Sequence, residues 1–165
     1  LHDKKARKVY EAGLIKEIQR MNPDVVLLSG WMLVLGETFL KAMQQMQIPV
    51  INHHPALLSK DFAESVSTSR GKIPVIRGHH GLKDAFEKNL PVSGITVHQV
   101  LPGETFDVGP IIMKAEVRRK KDDTLESFEK RMRTAEYQLL PTALQRVLHV
   151  MNHHNVDISK GEFPW

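Results

Sequence analysis

Cysteine is absent from the 165 residues. The chain therefore has no disulfide, thiolate metal ligand or cysteine nucleophile, which fits a reducing compartment. Apolar runs long enough to matter for a membrane are also missing, since none approaches the ~20 residues a spanning helix needs. No secretory signal is visible, no segment repeats and no tract is of low complexity. Histidine pairs occur at 53–54, 79–80 and 153–154, but no His-Glu-x-x-His and no carboxylate-rich cluster accompanies them. Neighbouring histidines on extended chain point opposite ways, so no metal is expected. The first residue is leucine rather than methionine, and an upstream segment is expected.

What remains is an ordinary globular composition, 41% hydrophobic and 25% charged, in a length suited to one domain with a single core. The net charge of +4 and a pI near 9.4 would suit an anionic ligand. The densest basic run, Arg118-Arg119-Lys120-Lys121, is followed at once by Asp122-Asp123 and reads as a solvated loop, so nucleic acid is not an expected partner.

Apolar residues at helical spacing from Val9 to Met21 predict a first helix, stopped by Asn22-Pro23-Asp24. Val25-Val26-Leu27-Leu28 reads as a strand buried on both faces, residues 36–46 as a helix and Ile48-Pro49-Val50-Ile51 as the next strand. That order implies an α/β sheet with a right-handed crossover. Residues 59–77, rich in serine with little pattern, read as a long surface loop or flap. A short helix at 82–88, strands at 94–100 and 110–117 and a turn-rich joint at 101–109 follow. The last helix carries an apolar stripe from Leu125 through Phe128, Met132 and Leu139 to Val147. Asp123 and Glu126 have capping-box spacing at its start, and Pro141 is expected to kink it. The tail 151–165 reads as irregular, leaving 1–150 as the domain.

Chemistry concentrates at two strand ends. In Ile51-Asn52-His53-His54-Pro55, extended geometry sends Asn52 and His54 to one side and His53 to the other, while Pro55 holds His54 extended. An amide beside an imidazole can hydrogen-bond an oxygen that gains negative charge. The competing reading is a turn-capping Asn52 and a satisfied, half-buried His54. Asp107, in Asp107-Val108-Gly109-Pro110-Ile111, can pair with an imidazole, raise its pKa and keep it cationic, or accept a proton; an ordinary turn aspartate is the alternative. Trp31 to Leu35 could wall a pocket for a flat heterocycle or simply enter a helix. Glu136 could face a ligand hydroxyl or solvent.

Taken together, Asp24-Val25-Val26-Leu27-Leu28-Ser29-Gly30-Trp31-Met32, Asn52-His53-His54-Pro55-Ala56-Leu57-Leu58, Gly94-Ile95-Thr96-Val97-His98, Asp107-Val108-Gly109-Pro110-Ile111-Ile112 and residues 131–141 resemble the formyltransferases that use 10-formyltetrahydrofolate. The similarity is greatest to the branch that formylates the amine of glycinamide ribonucleotide in purine synthesis. It implies a Rossmann-like α/β domain with a mixed, mostly parallel sheet flanked by helices. It also implies 10-formyltetrahydrofolate as donor co-substrate, no metal, small-molecule partners, no membrane and a cytoplasmic setting.

Residue by residue, the resemblance makes Asn52, His54 and Asp107 catalytic, with Thr96 (a hydroxyl near the aspartate) and His98 supporting. It assigns Met32, Leu33, Val34, Leu35, Leu101, Gly103 and Glu104 to the folate, and Pro55 and Glu136 to the amine substrate. The phosphate-binding loop that relatives carry near their amino terminus is not found, so an N-terminal part of the domain is expected to be missing. Leu33 and Arg133 stand where relatives often have arginine and glutamine. Hydrolysis of the formylfolate and transfer to tRNA or a nucleotide sugar are the alternatives within the family, the tRNA reading sustained by Arg70, Lys72 and Arg77. A non-catalytic folate-binding domain is the alternative outside it.

Overall fold

A computed structural model of the protein describes residues 4–60, 63–78, 80–103, 107 and 109–153. Helix α1 (Lys4–Met21) ends where Asn22 adopts a left-handed conformation, as the Asn-Pro-Asp stop predicts. Strand β1 (Val26–Leu28), helix α2 (Glu37–Gln45) and strand β2 (Val50–His54) then make the expected crossover, with β1 and β2 parallel. Beyond β2 come strands β3 (Ser65–Thr68) and β4 (Gly71–Pro74), helix α3 (Gly81–Glu87), strands β5 (Val92–Gln99) and β6 (Ile111–Arg118), and helix α4 (Leu125–His153).

The main sheet has the order β1-β2-β5-β6. It is mixed, as expected, although among the described strands the β2–β5 and β5–β6 pairings are antiparallel and only β1–β2 is parallel. Strand β5 is buried along its whole length because both faces of the sheet are covered. On one face, α4 lays Phe128, Met132, Leu139, Ala143 and Val147 against Ile51, Ile95, Val97 and Ile112. On the other, α1 and α2 bring Ile18, Phe39, Leu40 and Met43 onto Leu28 and Val50. Ile51 and Val50 thus face opposite layers, the period-two alternation of a strand. Continued along β2, it turns His53 towards α4 and Asn52 and His54 towards the α1/α2 side.

The structure corrects three local expectations. Residues 59–77 are not simply a loop, because β3 and β4 pair as an antiparallel hairpin. Only Val66 and Ile73, which are register partners, point inward, where they join Leu57 and Val92. One apolar residue per strand is too little pattern to be read from sequence. At the start of α4 the capping pair lies one residue later than expected: Ser127 N–H donates to Thr124 Oγ1 and Thr124 N–H to Ser127 Oγ, each at 3.1 Å. The Asp123 carboxylate is instead taken by the Arg131 guanidinium and the Lys120 N–H. Finally, α4, which contains Pro141, continues to His153, three residues into the expected tail. Residues 154–165 of that tail lie outside the described residues.

Candidate active site

Asn52 and His54 stand on one face of β2, opposite His98 and Thr96 of β5, their respective register partners. Four polar side chains therefore share one patch of the sheet. Asn52 Nδ2 lies 3.4 Å from His98 Nε2, and His98 Nδ1 lies 3.1 Å from the Gln99 carbonyl. That carbonyl can only accept, so His98 carries its proton on Nδ1 and its Nε2 accepts from the Asn52 amide. Burial favours this neutral form and pushes the His98 pKa down to about 4, against the opposing pull of Asp107 and the Gln99 carbonyl. Among the described residues no group takes the second amide hydrogen of Asn52.

His54 is engaged at both ring nitrogens. Nε2 donates to the Ile76 carbonyl at 2.8 Å, and Nδ1 lies 3.4 Å from Asp107 Oδ2. Sequence reasoning expects Asp107 to raise the His54 pKa and keep the ring cationic. In the structure burial outweighs it: desolvation lowers the His54 pKa below its ordinary value, while Asp107 and the Ile76 carbonyl pull upward. Burial thus works against the charged ring, with a carboxylate placed to stabilise the cation when it forms. Asp107 itself sits at φ 52°, a left-handed conformation that aspartate tolerates better than most residues. Just beyond it Gly109 has φ 138°, and a Cβ there would lie 2.0 Å from the Gln99 carbonyl oxygen. The turn approaches β5 so closely that only glycine fits.

Thr96 does not reach Asp107 in the described contacts. Its hydroxyl donates to the Ala56 carbonyl and accepts from the Leu58 N–H, at 2.8 and 2.9 Å. It thereby ties down the segment that leaves the site after Pro55.

Beside these groups opens a cavity of about 340 Å³, within the range of small-molecule sites. The loop after β1 supplies its apolar wall through Met32, Leu33, Val34 and Leu35, and Leu101 and Gly103 supply another. Asn52, His54, His98 and Asp107 line it as well. Met32, though on the wall, is 64% exposed, so the apolar surface faces outward and is available to a flat ligand. The structure thus brings together most of the residues expected from sequence. Glu104 lies outside the described residues. Pro55 and Glu136 are not on the cavity wall; Glu136 lies on the α4 side, 3.6 Å from His53 Nε2. Arg133 is paired with Glu129 along the helix. Among the described residues no cluster of three histidine or carboxylate side chains could hold a metal.

Sequence reasoning misses the segment Ile76-Arg77-Gly78. Besides the Ile76 carbonyl on His54, the Arg77 guanidinium donates to the Asp107 carbonyl and the Gly78 N–H donates to Asp107 Oδ2 at 2.7 Å. His53, too, is missed as the neighbour of Glu136. No local signal marks these residues, since their roles arise from segments 22 to 83 positions apart.

Comparison with known proteins accords with this geometry. The formyl transferase family model matches residues 2–144. Phosphoribosylglycinamide formyltransferase of Bacillus subtilis (strain 168) is 29% identical over 146 residues, covering 88% of this chain and 65% of the relative. The Saccharomyces cerevisiae enzyme of the same name is 31% identical over 154 residues, covering 90% and 64%. The crystal structure of phosphoribosylglycinamide formyltransferase from Streptococcus pneumoniae TIGR4 superposes with a TM-score of 0.69 at 32% identity, over 84% of this chain and 66% of that one. The chain spans just under two thirds of the length of the relatives it matches.

Proposed function

Since the chain belongs to the formyl transferase family, we propose that its site transfers a formyl group from 10-formyltetrahydrofolate to the amine of glycinamide ribonucleotide. The observation that carries the reading is Asn52, His54 and Asp107 gathered on the rim of one apolar cavity. The cavity suits a pterin, a flat heterocycle whose faces can lie on apolar walls while its edges hydrogen-bond, lying along Met32 to Leu35 and Leu101 to Gly103. The amine substrate would enter from the β2 end, with Glu136 the acid for its ribose hydroxyls. Both partners are small molecules, and the reaction belongs in the cytoplasm.

The chemistry follows from what each group can do. The amine nitrogen attacks the formyl carbon, forming a C–N bond and pushing the carbonyl electrons onto oxygen. Asn52 offers its second amide hydrogen to that oxyanion, a donor of a kind typically worth about 3–4 kcal/mol. His54 becomes cationic as negative charge develops nearby, and Asp107 stabilises the cation. Collapse of the intermediate breaks the bond to the folate N10. The proton lost by the amine passes through the His54–Asp107 pair to that nitrogen. Holding both substrates together supplies much of the remaining acceleration.

The test follows the absorbance of a 10-formylfolate analogue with and without glycinamide ribonucleotide. Loss of the formyl group that depends on the amine is the expected result. Loss without the amine would make the protein a hydrolase, and no loss would make the domain a folate-binding module.

A further inference from the structure

Three consecutive residues leaving the β3–β4 hairpin each bond to the His54–Asp107 pair: Ile76 through its carbonyl, Arg77 through its guanidinium, Gly78 through its N–H. We propose that this segment is a clamp, and that Arg77 is the positioning residue that holds Asp107 with its carboxylate on His54. The proposal rests on the acyl-transfer reading of that pair.

The argument begins with Asp107. At φ 52° its backbone is in a region L-residues seldom occupy, and something must keep it there. Arg77 Nη1 donates to its main-chain carbonyl at 2.5 Å, while Nη2 reaches Ser59 Oγ at 3.4 Å. A rigid guanidinium fork can make both bonds; a lysine ammonium offers no such fixed geometry. Gly78, at φ +86°, turns its N–H onto the same carboxylate that meets His54.

The clamp is itself anchored. Val75 N–H donates to the Glu64 carbonyl and extends the hairpin pairing, Val66 and Ile73 are buried against Leu57 and Val92, and the Ser69 N–H and hydroxyl bind the Glu116 carboxylate of β6. The hairpin is therefore tied to the sheet at its base and at its tip.

Charge alone does not account for Arg77. Its cation disfavours protonation of His54, which Asp107 favours. As a bare charge it would oppose the pair. As a clamp it lets Asp107 act.

The two roles predict opposite signs, which NMR titration of the His54 ring can read. The charged and titratable groups facing His54 are Asp107, Arg77, His53 and His98. Arg77→Lys keeps the charge but removes the fork. If Arg77 is a clamp, Asp107 drifts and the His54 pKa falls by about one unit, the size of effect expected when an opposite charge within 4–6 Å is lost. Asp107→Asn should move it the same way. Arg77→Lys and Arg77→Ala should also lower kcat tenfold or more with little change in KM. An unchanged His54 pKa in Arg77→Lys, or a rise in Arg77→Ala, overturns the clamp. Should Arg77→Ala fail to fold, Arg77→Lys decides. A wild-type protein that transfers no formyl group while His54 still responds as predicted would remove the reaction and leave the clamp standing.

Discussion

His54 and His98 are both buried histidines beside one aspartate, yet their surroundings give them different work. His98 has a carbonyl on one nitrogen and an amide donor on the other, so it is held neutral and orients Asn52. His54 has oxygen acceptors at both nitrogens, a setting that resists charge through burial but is completed by it. Asp107→Asn separates these roles. It keeps the size of the side chain but removes the charge that stabilises the His54 cation, so turnover should fall by about 10² or more while the circular dichroism spectrum stays that of the wild type. Near-normal turnover would reject the role given to Asp107. Asn52, His54 and Asp107 are legible in sequence because Pro55 holds the strand end extended through His54 and Gly109-Pro110 marks a turn just after Asp107. Arg77, Gly78 and His53 are not legible, because nothing adjacent to them in the chain reveals what they meet.

Among the elements, α1, α2 and α4 are readable from periodic apolar residues, whereas the hairpin and the helix cap are not. Asp123-Thr124-Leu125-Glu126-Ser127 offers two overlapping capping pairs, and the choice between them depends on Arg131, eight positions beyond Asp123, which takes the carboxylate. Thr124→Ala should therefore cost about 1 kcal/mol, seen as a lower urea midpoint with unchanged slope. Glu126→Ala should stay within about 0.5 kcal/mol, the ordinary effect of a surface change. Equal losses would restore the expected Asp123–Glu126 box. For the hairpin the signal is one buried residue per strand, and its stability comes from Leu57, Val92 and Glu116, which lie in other elements.

For the molecule as a whole, the same burial that prepares the site makes stability depend on pH. The pKa of His98 lies near 4 in the folded protein against an ordinary 6.5, so between these values the unfolded chain binds the proton and the folded one does not. The stabilisation is complete above about pH 6.5 and declines as pH falls towards 4, at about 1.4 kcal/mol per unit, or roughly 3 kcal/mol in all. The lowered pKa of His54 acts in the same direction. Denaturant midpoints measured at pH 7, 5.5 and 4.5 should fall steadily, and the fall should be shallower in His98→Gln. A midpoint that is flat across this range would contradict the buried neutral imidazole.

The linear chain was sufficient for whatever depends on near neighbours: helical stripes, a strand–helix–strand crossover, and an amide, an imidazole and a carboxylate close to proline or glycine. Those motifs also sufficed for the family. The hairpin, the true cap, the low proton affinity of His54 and the grip of Arg77 on Asp107 depended on folding. The cap turns on Arg131, a neighbour two helical turns along; the other three need a partner distant in the chain, which is in place only once the sheet closes.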